Sequence, residues 1–314
     1  MSDTLEITGL SLRARNRFVA DALNLKIGSG EIYALLGPDV AAKAALVRAT
    51  TRARPPRQGT ISINGQSLTP KSARQVSRVV EPARYWPTLT LGQTLTLAAR
   101  LAGIKAPEIA STVSFAAEAC GLADRLATRA SRLSAGEALR AALAHAMLRK
   151  PALLIIEDPR PDPDTRIDLF RATEQLAKSG TAILVLTHDL DLAESMATRV
   201  GFLRSGRIEP EGPPRALVAQ TFGDSREILV ELKHAPTAPQ AALLRRVGFA
   251  AQGSEMCWSV VGHATSSTAA NLSERLNTIG LSLRELRLRE PGLGTLFDRI
   301  EKSQPRANDN LPPA

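Results

Sequence analysis

Short apolar runs alternate with longer amphipathic stretches through the first two thirds of the chain. Three of these runs, at residues 31–36, 153–156 and 181–186, consist mainly of apolar residues. They are too short for ordinary helices and fit strands of a parallel sheet, whose two faces are both buried. The stretches between them have helical periodicity, so the pattern predicts an α/β domain.

The segment from residue 133 to residue 159 has the most specific pattern. Ser134 and Glu137 form an S-x-x-E capping box, which marks the start of a helix. An apolar stripe at i, i+3, i+4, i+7 and i+8 then predicts one packed helix face, formed by Leu139, Ala142, Leu143, Ala146 and Met147. The buried strand that follows ends in Glu157 and Asp158, at the strand end where open α/β sheets bind ligands.

Several motifs in this segment occur together in one known family. The sequence LSAGE at residues 133–137, the R-x-x-L-A-x-A pattern at 140–146 and the apolar run before Glu157-Asp158-Pro159 follow one another without a gap. They resemble the signature-to-Walker-B segment of ABC-type ATPases. An ordinary helix–strand unit with an acidic turn is the alternative, but the order of the motifs favours the family. The resemblance implies a P-loop NTPase fold, an ABC-type nucleotide-binding domain with a helical subdomain, and binding of ATP and Mg²⁺.

The first apolar run is followed by GPDVAAKA, and a helix is predicted to begin near Lys43. This loop resembles the family's G-x-x-x-x-G-K-[ST], whose amides and lysine hold phosphates and whose hydroxyl binds Mg²⁺. Gly37 and Lys43 match that pattern. Ala42 replaces the second glycine, Ala44 replaces the hydroxyl residue, and Asp39 would bring a negative charge towards phosphates. The resemblance therefore implies a nucleotide site with a degenerate Walker A motif.

Further site positions follow from the resemblance. Glu81 stands where the family has the glutamine of the Q-loop. The family's Asp-Glu order is reversed, so Glu157 takes the metal-side place and Asp158 the general-base place. Asp164 corresponds to the D-loop aspartate. His188 corresponds to the switch histidine that contacts the γ-phosphate.

Two more features concern the nucleotide's surroundings. Ser134 and Gly136 match the signature residues that meet the γ-phosphate held by a facing subunit. The family's adenine-stacking aromatic appears at Ala14, and Phe18 is the only aromatic residue nearby. The sequence thus matches the family pattern less well at the adenine and phosphate positions than at the signature.

The last third of the chain predicts a separate module. A hairpin and helix after residue 200 would close the ATPase domain at residues 1–222. Residues 223–302 alternate strand-like and helix-like runs, which predicts a small C-terminal α+β appendage. Its ending resembles the close of exporter-type ABC ATPases. Residues 303–314 are polar and contain prolines, which predicts a disordered tail.

Composition limits the classes of partner. Among 314 residues the net charge is +9, and one basic cluster occupies residues 48–57. A solvated surface is the favoured interpretation of this charge, and an anionic partner is the alternative. Aromatic residues make up 4% of the chain, which argues against stacking of nucleic-acid bases. Cys120 and Cys257 lack metal-ligand spacing, no apolar run approaches a membrane span, and both facts predict a cytoplasmic protein.

The sequence therefore predicts the cytoplasmic ATP-binding subunit of an ABC-type membrane transporter, an exporter, peripheral at the inner face of the plasma membrane. Its expected partners are a transmembrane permease subunit and a second ABC ATPase, in a homodimer or, preferably, a heterodimer. Whether the chain is itself an active ATPase stays open. One alternative is a non-catalytic ABC-like structural or regulatory partner of an intact ATPase. A nucleic-acid-linked ABC activity ranks last, and no nucleic-acid partner is expected.

Overall fold

The computed structural model of the protein describes residues 3–14, 17–80, 87–262 and 266–302. The chain divides into two units, Met1–Pro213 and Pro214–Ala314. Glu81 and the expected tail at 303–314 lie outside the described residues. Among the described helices, none combines the length and the apolar character needed to cross a bilayer.

The first unit contains two sheets. Its strands are β1 (Asp3–Ala14), β2 (Arg17–Gly28), β3 (Ile32–Leu36), β4 (Gln58–Ile63), β5 (Gln66–Ser67), β6 (Val76–Val80), β7 (Leu153–Glu157), β8 (Ala182–Leu186), β9 (Arg199–Arg204) and β10 (Arg207–Gly212). One sheet has the order β2-β1-β4-β5 and the other the order β10-β9-β3-β8-β7-β6. In the second sheet all neighbours are parallel except β10, which is antiparallel to β9. This arrangement confirms the predicted α/β class.

The helices of the first unit lie between these strands in the chain. They are α1 (Val40–Thr50), α2 (Leu91–Leu101), α3 (Ala106–Ala119), α4 (Ala135–Met147), α5 (Pro163–Lys178) and α6 (Leu190–Met196). The predicted capping box of α4 is confirmed, because the Ser134 amide donates to Glu137 (2.9 Å) and the Glu137 amide donates to Ser134 Oγ (3.2 Å). The predicted apolar stripe of α4 is buried, apart from a half-buried Ala142.

The central strands pack against apolar layers on both faces. In β7, Leu153 and Ile155 belong to a core formed with β1, β2 and α1. Leu154 and Ile156 belong to a second core formed with α2, α3, α4 and α5. The continuous apolar run predicted as a buried parallel strand is therefore explained by this double burial.

The predicted start of α1 near Lys43 is wrong. The helix begins at Val40, because Asp39 caps it and accepts a hydrogen bond from the Ala42 amide at 2.9 Å. Aspartate is among the strongest N-cap residues, and this local preference moves the helix start upstream of the position that the family pattern implied.

The second unit is an α+β module of four antiparallel strands. Its elements are α7 (Pro214–Phe222), β11 (Arg226–Leu232), α8 (Ala238–Arg246), β12 (Ala250–Gln252), β13 (Ser254–Gly262), α9 (Ser266–Thr278), β14 (Leu283–Arg289) and α10 (Leu293–Lys302). The strand order is β12-β13-β11-β14, so residues 226–289 form a βαββαβ unit of ferredoxin-like topology. The sequence predicted these strands and helices except β12, whose three residues are too few to show alternation.

A buried carboxylate connects β11, β14 and α10. Glu227 is 1% exposed and accepts hydrogen bonds from Arg289 Nε (2.7 Å) and Thr295 Oγ1 (2.9 Å). Buried charges need such partners, because an unpaired carboxylate is costly to remove from water. Glu227 therefore ties the last helix of the unit to its sheet.

We predict that Glu227→Ala lowers the free energy of unfolding of the second unit by about 1–3 kcal/mol, the usual cost of losing partners around a buried polar group. The control is Glu231→Ala on the same strand, which removes a surface pair with the 71% exposed Arg284 and should cost less than about 1 kcal/mol. Urea unfolding followed by Trp258 fluorescence in a Trp86→Phe background measures both. Equal losses in the two variants would contradict the prediction.

Candidate functional site

The loop after β3 leads into α1, and an acidic side chain of the same chain already accepts a hydrogen bond from the first turn of that helix. Gly37 has a left-handed φ of +114°, and a Cβ there would lie 2.1 Å from the Leu203 carbonyl oxygen, so only glycine fits. The Ala42 amide donates to Asp39 Oδ1 (2.9 Å), and the Lys43 amide donates to the Asp39 carbonyl (3.1 Å). A helix N-terminus attracts anions, and here the anion is the Asp39 carboxylate of the same chain.

Lys43 is buried rather than extended towards solvent. Its side chain is part of a residue that is 5% exposed, and Nζ donates to the Thr187 carbonyl oxygen at 2.9 Å. Burial lowers the pKa of Lys43 to about 8, although the charges of Asp158 and Asp39 act in the opposite direction. The amine thus bridges the start of α1 and the end of β8. The neighbouring Ala44 offers no polar side-chain group.

Each carboxylate at the end of β7 is paired with an arginine. Glu157 accepts two hydrogen bonds from Arg78 on β6, one of them from Nη2 at 3.1 Å. Asp158 Oδ2 accepts from Arg160 Nη2 at 2.8 Å. Asp158 has a left-handed φ of +41°, and its amide donates to the Leu186 carbonyl at 2.7 Å. Both acids therefore have a guanidinium partner, and the pairs are partly exposed, with the Arg78 side chain 45% and the Arg160 side chain 81% exposed.

His188 follows β8 and is exposed at the same edge of the sheet. Its pKa is lowered mainly by burial of the ring, then by the positive charges of Lys43 and Arg160, while Asp158 acts to raise it. A lowered pKa favours the neutral imidazole near pH 7. The ends of β3, β7 and β8 thus bring Asp39, Lys43, Asp158 and His188 to one edge, as the sequence predicted for parallel strands.

The signature residues pack at the start of two helices. Ser134 caps α4, and Glu137 in the same turn pairs with Arg125 at 2.8 Å. A Cβ at Gly136 would lie 2.1 Å from Thr165 Oγ1 in the first turn of α5. Gly136 therefore has a packing requirement of its own, which the sequence did not reveal.

The remaining predicted site positions are the D-loop aspartate, the Q-loop position and the position that would stack on adenine. Asp164 is exposed in the first turn of α5, and its neighbour Asp162 caps that helix by accepting from the Thr165 amide at 2.8 Å. Glu81 lies outside the described residues, and the side chain of Ala14 is not described. Phe18 stacks on the Arg13 guanidinium, whose Cζ lies 4.0 Å from the ring centroid.

Comparison with known proteins places this geometry in a family. The model of the family described as "ABC transporter" matches residues 20–160. The hemin import ATP-binding protein HmuV of Streptomyces coelicolor is 31% identical over 222 residues, covering 68% of this chain and 79% of that protein. The chain belongs to the ABC transporter family, as an ATP-binding protein.

Two further similarities agree with that assignment. The Nod factor export ATP-binding protein I of Sinorhizobium fredii is 29% identical over 225 residues, covering 70% of this chain and 65% of that protein. A solved ATP-binding subunit of an ABC transporter is 28% identical, with a TM-score of 0.63, covering 70% of this chain and 93% of that structure. The predicted ABC nucleotide-binding fold is thus confirmed. ABC ATP-binding subunits bind ATP, dimerise and work with transmembrane permease components.

The arrangement in this ABC protein does not fit Mg-ATP as it stands. The Ala42 amide in the first turn of α1 donates to the Asp39 carboxylate, and the Lys43 amine donates to the Thr187 carbonyl oxygen. The two carboxylates that would face a metal are bound to Arg78 and Arg160. A phosphate or Mg²⁺ would compete with these internal partners. The arginine partners were the part of the site that the sequence did not suggest.

We predict that Lys43 makes the stability of this ABC domain depend on alkaline pH. Because the pKa of Lys43 in the folded state is about 8, below the ordinary 10.5, the unfolded chain binds more protons between these values. Stability should therefore rise with pH across that window, by on the order of 1–3 kcal/mol. Lys43→Met should remove this rise, whereas the control Lys178→Met, with a 73% exposed side chain, should retain it.

Denaturant unfolding of the three proteins at pH 7.5, 9 and 10 measures this dependence. A rise that persists unchanged in Lys43→Met would show that another group causes it.

Proposed function

We propose that the protein is a cytoplasmic subunit of an ABC exporter, peripheral at the inner face of the plasma membrane, whose own nucleotide half is inactive. It pairs with a second, intact ABC ATPase and with a permease subunit. The observation that carries the proposal is the internal pairing of the Walker A and Walker B groups with Asp39, Thr187, Arg78 and Arg160.

The loop after β3 supports this proposal, because binding a phosphate there would cost free energy. Releasing the Ala42 amide removes the Asp39 cap, which stabilises a helix by about 1 kcal/mol. A phosphate would then lie beside a carboxylate of like charge. Since each ~1.4 kcal/mol corresponds to a factor of ten in affinity, loss of the cap alone weakens nucleotide binding by about fivefold, and the charge repulsion weakens it further.

The residues at the expected metal position also support the proposal, because a carboxylate there is already paired with an arginine. Magnesium is held in nucleotide sites by one or two carboxylates together with the phosphates. Here Glu157 accepts two hydrogen bonds from Arg78, and breaking such an arrangement would leave a guanidinium without its partner. Ala44 supplies no hydroxyl. The described residues therefore compensate the acids with arginines in the position where the family uses a metal ion.

The signature half differs in its electrostatics. α4 begins with the neutral hydroxyl of Ser134, and the acid in its first turn, Glu137, is matched by Arg125. Ser134 is exposed, and its O–H can still donate while its oxygen accepts from Glu137. Such a helix start can face a γ-phosphate held by another subunit. Because Gly136 is required by packing, this argument rests on Ser134.

The exporter assignment and the domain division are finer parts of the proposal. The first is supported by the similarity to the Nod factor exporter protein and by the exporter-like sequence of α10. The division proposed is an ATPase domain at residues 1–222 and an accessory domain at residues 223–302. A non-catalytic structural or regulatory partner is the second candidate, and internal pairing of the loop supports it equally. The two candidates differ in the role of Ser134.

We predict that the purified protein binds Mg-ATP weakly and barely hydrolyses it, because the internal partners above must first be displaced. Asp39→Asn keeps a strong N-cap residue but removes the negative charge, so it should tighten binding by about tenfold with little change in stability. Asp162→Asn, the same change at the cap of α5, is the control and should leave affinity unchanged. Calorimetric titration measures both. Micromolar binding with multiple turnovers by the unmodified protein would refute the inactive half-site.

We predict an asymmetric response in the complex with the intact ATPase and the permease. Ser134→Arg should abolish ATP hydrolysis, because it places a bulky cation at the signature helix start. Lys43→Ala should leave most of the hydrolysis, because Lys43 donates inside its own subunit. Steady-state hydrolysis by the assembled complex measures both effects.

A control must distinguish the effect of losing a helix cap on hydrolysis from the effect of losing the signature serine. Thr90 caps α2 with the same kind of capping box, so Thr90→Arg is the matched control and should retain hydrolysis. Full activity of Ser134→Arg would favour the purely structural or regulatory partner. Equal loss from Ser134→Arg and Lys43→Ala would contradict the inactive half-site.

A further inference from the structure

A small pocket between β1, α1 and the loop after α1 is lined by four arginines. Its volume is about 100 Å³, and its charged lining residues are Arg13, Arg48, Arg54 and Arg57. No acidic residue occurs among the described residues that line it. The pocket belongs to the first unit and uses none of the positions assigned above to phosphate or metal. Its arginines include most of the basic cluster that the sequence had suggested to be a solvated surface.

The four arginines share a second feature, the lack of a carboxylate partner among the described residues. Within the described residues, no ion pair includes any of the four guanidinium groups. Arg13 Nε is buried and has no hydrogen-bond partner in the described part of the chain. Like charges around one small pocket repel each other, and a buried donor without an acceptor is costly. The arrangement is therefore one that an anion would stabilise.

The position at a helix end explains the placement of one of the four arginines, Arg48, and other local features orient the rest. Arg48 lies in the last turn of α1, where a cation interacts favourably with the helix dipole. Arg13 comes from β1, and its guanidinium is oriented by stacking on Phe18. Arg54 and Arg57 flank Pro55 and Pro56, which also line the pocket and restrict the loop. Three separate segments thus direct arginines to the same pocket.

We propose that this pocket binds a phosphoryl group. Guanidinium forks match the oxygens of a phosphate and bind it through paired hydrogen bonds. The volume is well below the roughly 300–1,000 Å³ of pockets that enclose a whole small molecule, so one anionic group enters and the rest of the ligand stays outside. A soluble phosphate monoester and the headgroup of phosphatidic acid share this chemistry. The proposal does not depend on the transport function.

Thermal unfolding of the full-length protein in increasing inorganic phosphate tests the site, with sodium chloride adjusted to constant ionic strength. Phosphate should raise the melting temperature saturably. Arg54→Gln/Arg57→Gln should weaken the apparent affinity by about tenfold or more, a factor that corresponds to about 1.4 kcal/mol. Arg52→Gln removes a charge from the same cluster but not from the pocket lining, so it should retain the effect.

Lys43→Ala separates this pocket from the phosphate loop. A phosphate effect that persists in Lys43→Ala and weakens in the double arginine variant supports the proposal. An effect lost in Lys43→Ala and unchanged in the double variant overturns it and also contradicts the inactive phosphate loop. An equal melting temperature in phosphate and in chloride overturns the proposal alone.

Two further measurements distinguish the source of the phosphoryl group. Glycerol 3-phosphate in solution represents a soluble monoester, and phosphatidylcholine vesicles containing phosphatidic acid represent the headgroup. Binding in either measurement that requires Arg54 and Arg57 supports the proposal and identifies the ligand type. Binding in both measurements that is unchanged in the double variant overturns it.

Discussion

Burial of the central strands on both faces is the constraint on which the first unit depends. β7 sends alternate side chains into two apolar cores, and β3 and β8 are likewise fully buried. Strands covered on both sides by helices and a second sheet run parallel and end at one edge. Asp39, Asp158 and His188 therefore meet at that edge, although they follow three different strands. The sheet brings these groups together whether or not they still perform the chemistry of the family.

Local signals predicted most of the elements, because capping and apolar periodicity act over a few residues. The α4 capping box, the β7 run and most strands and helices of the second unit follow from such signals. The start of α1 was predicted wrongly, because the family motif was weighted above the N-cap preference of Asp39. The Arg78–Glu157 pair joins residues on two strands, and its partners are visible only once the sheet order is known. Spacing could have suggested the pairing of Arg160 with Asp158, two residues away, but not its geometry.

Two helix starts in the first unit satisfy their amides in opposite ways. α1 is closed by an acid, with the buried Lys43 nearby, whereas α4 is closed by a hydroxyl and its acid is matched by Arg125. The first arrangement repels an incoming anion and the second can accept one. In the proposed function, a difference of one cap residue thus separates the two halves of the nucleotide site between subunits. The contrast is electrostatic and requires no difference in backbone fold.

The backbone at Asp158 has a consequence for any attempt to restore the general base of the family at this position. Its left-handed φ of +41° is tolerated by aspartate and asparagine better than by most other residues, including the glutamate that the family uses as its base. A glutamate at this place would meet backbone strain. Residue type and backbone are therefore matched at position 158, and restoring a glutamate base requires the bend after β7 to change its conformation as well.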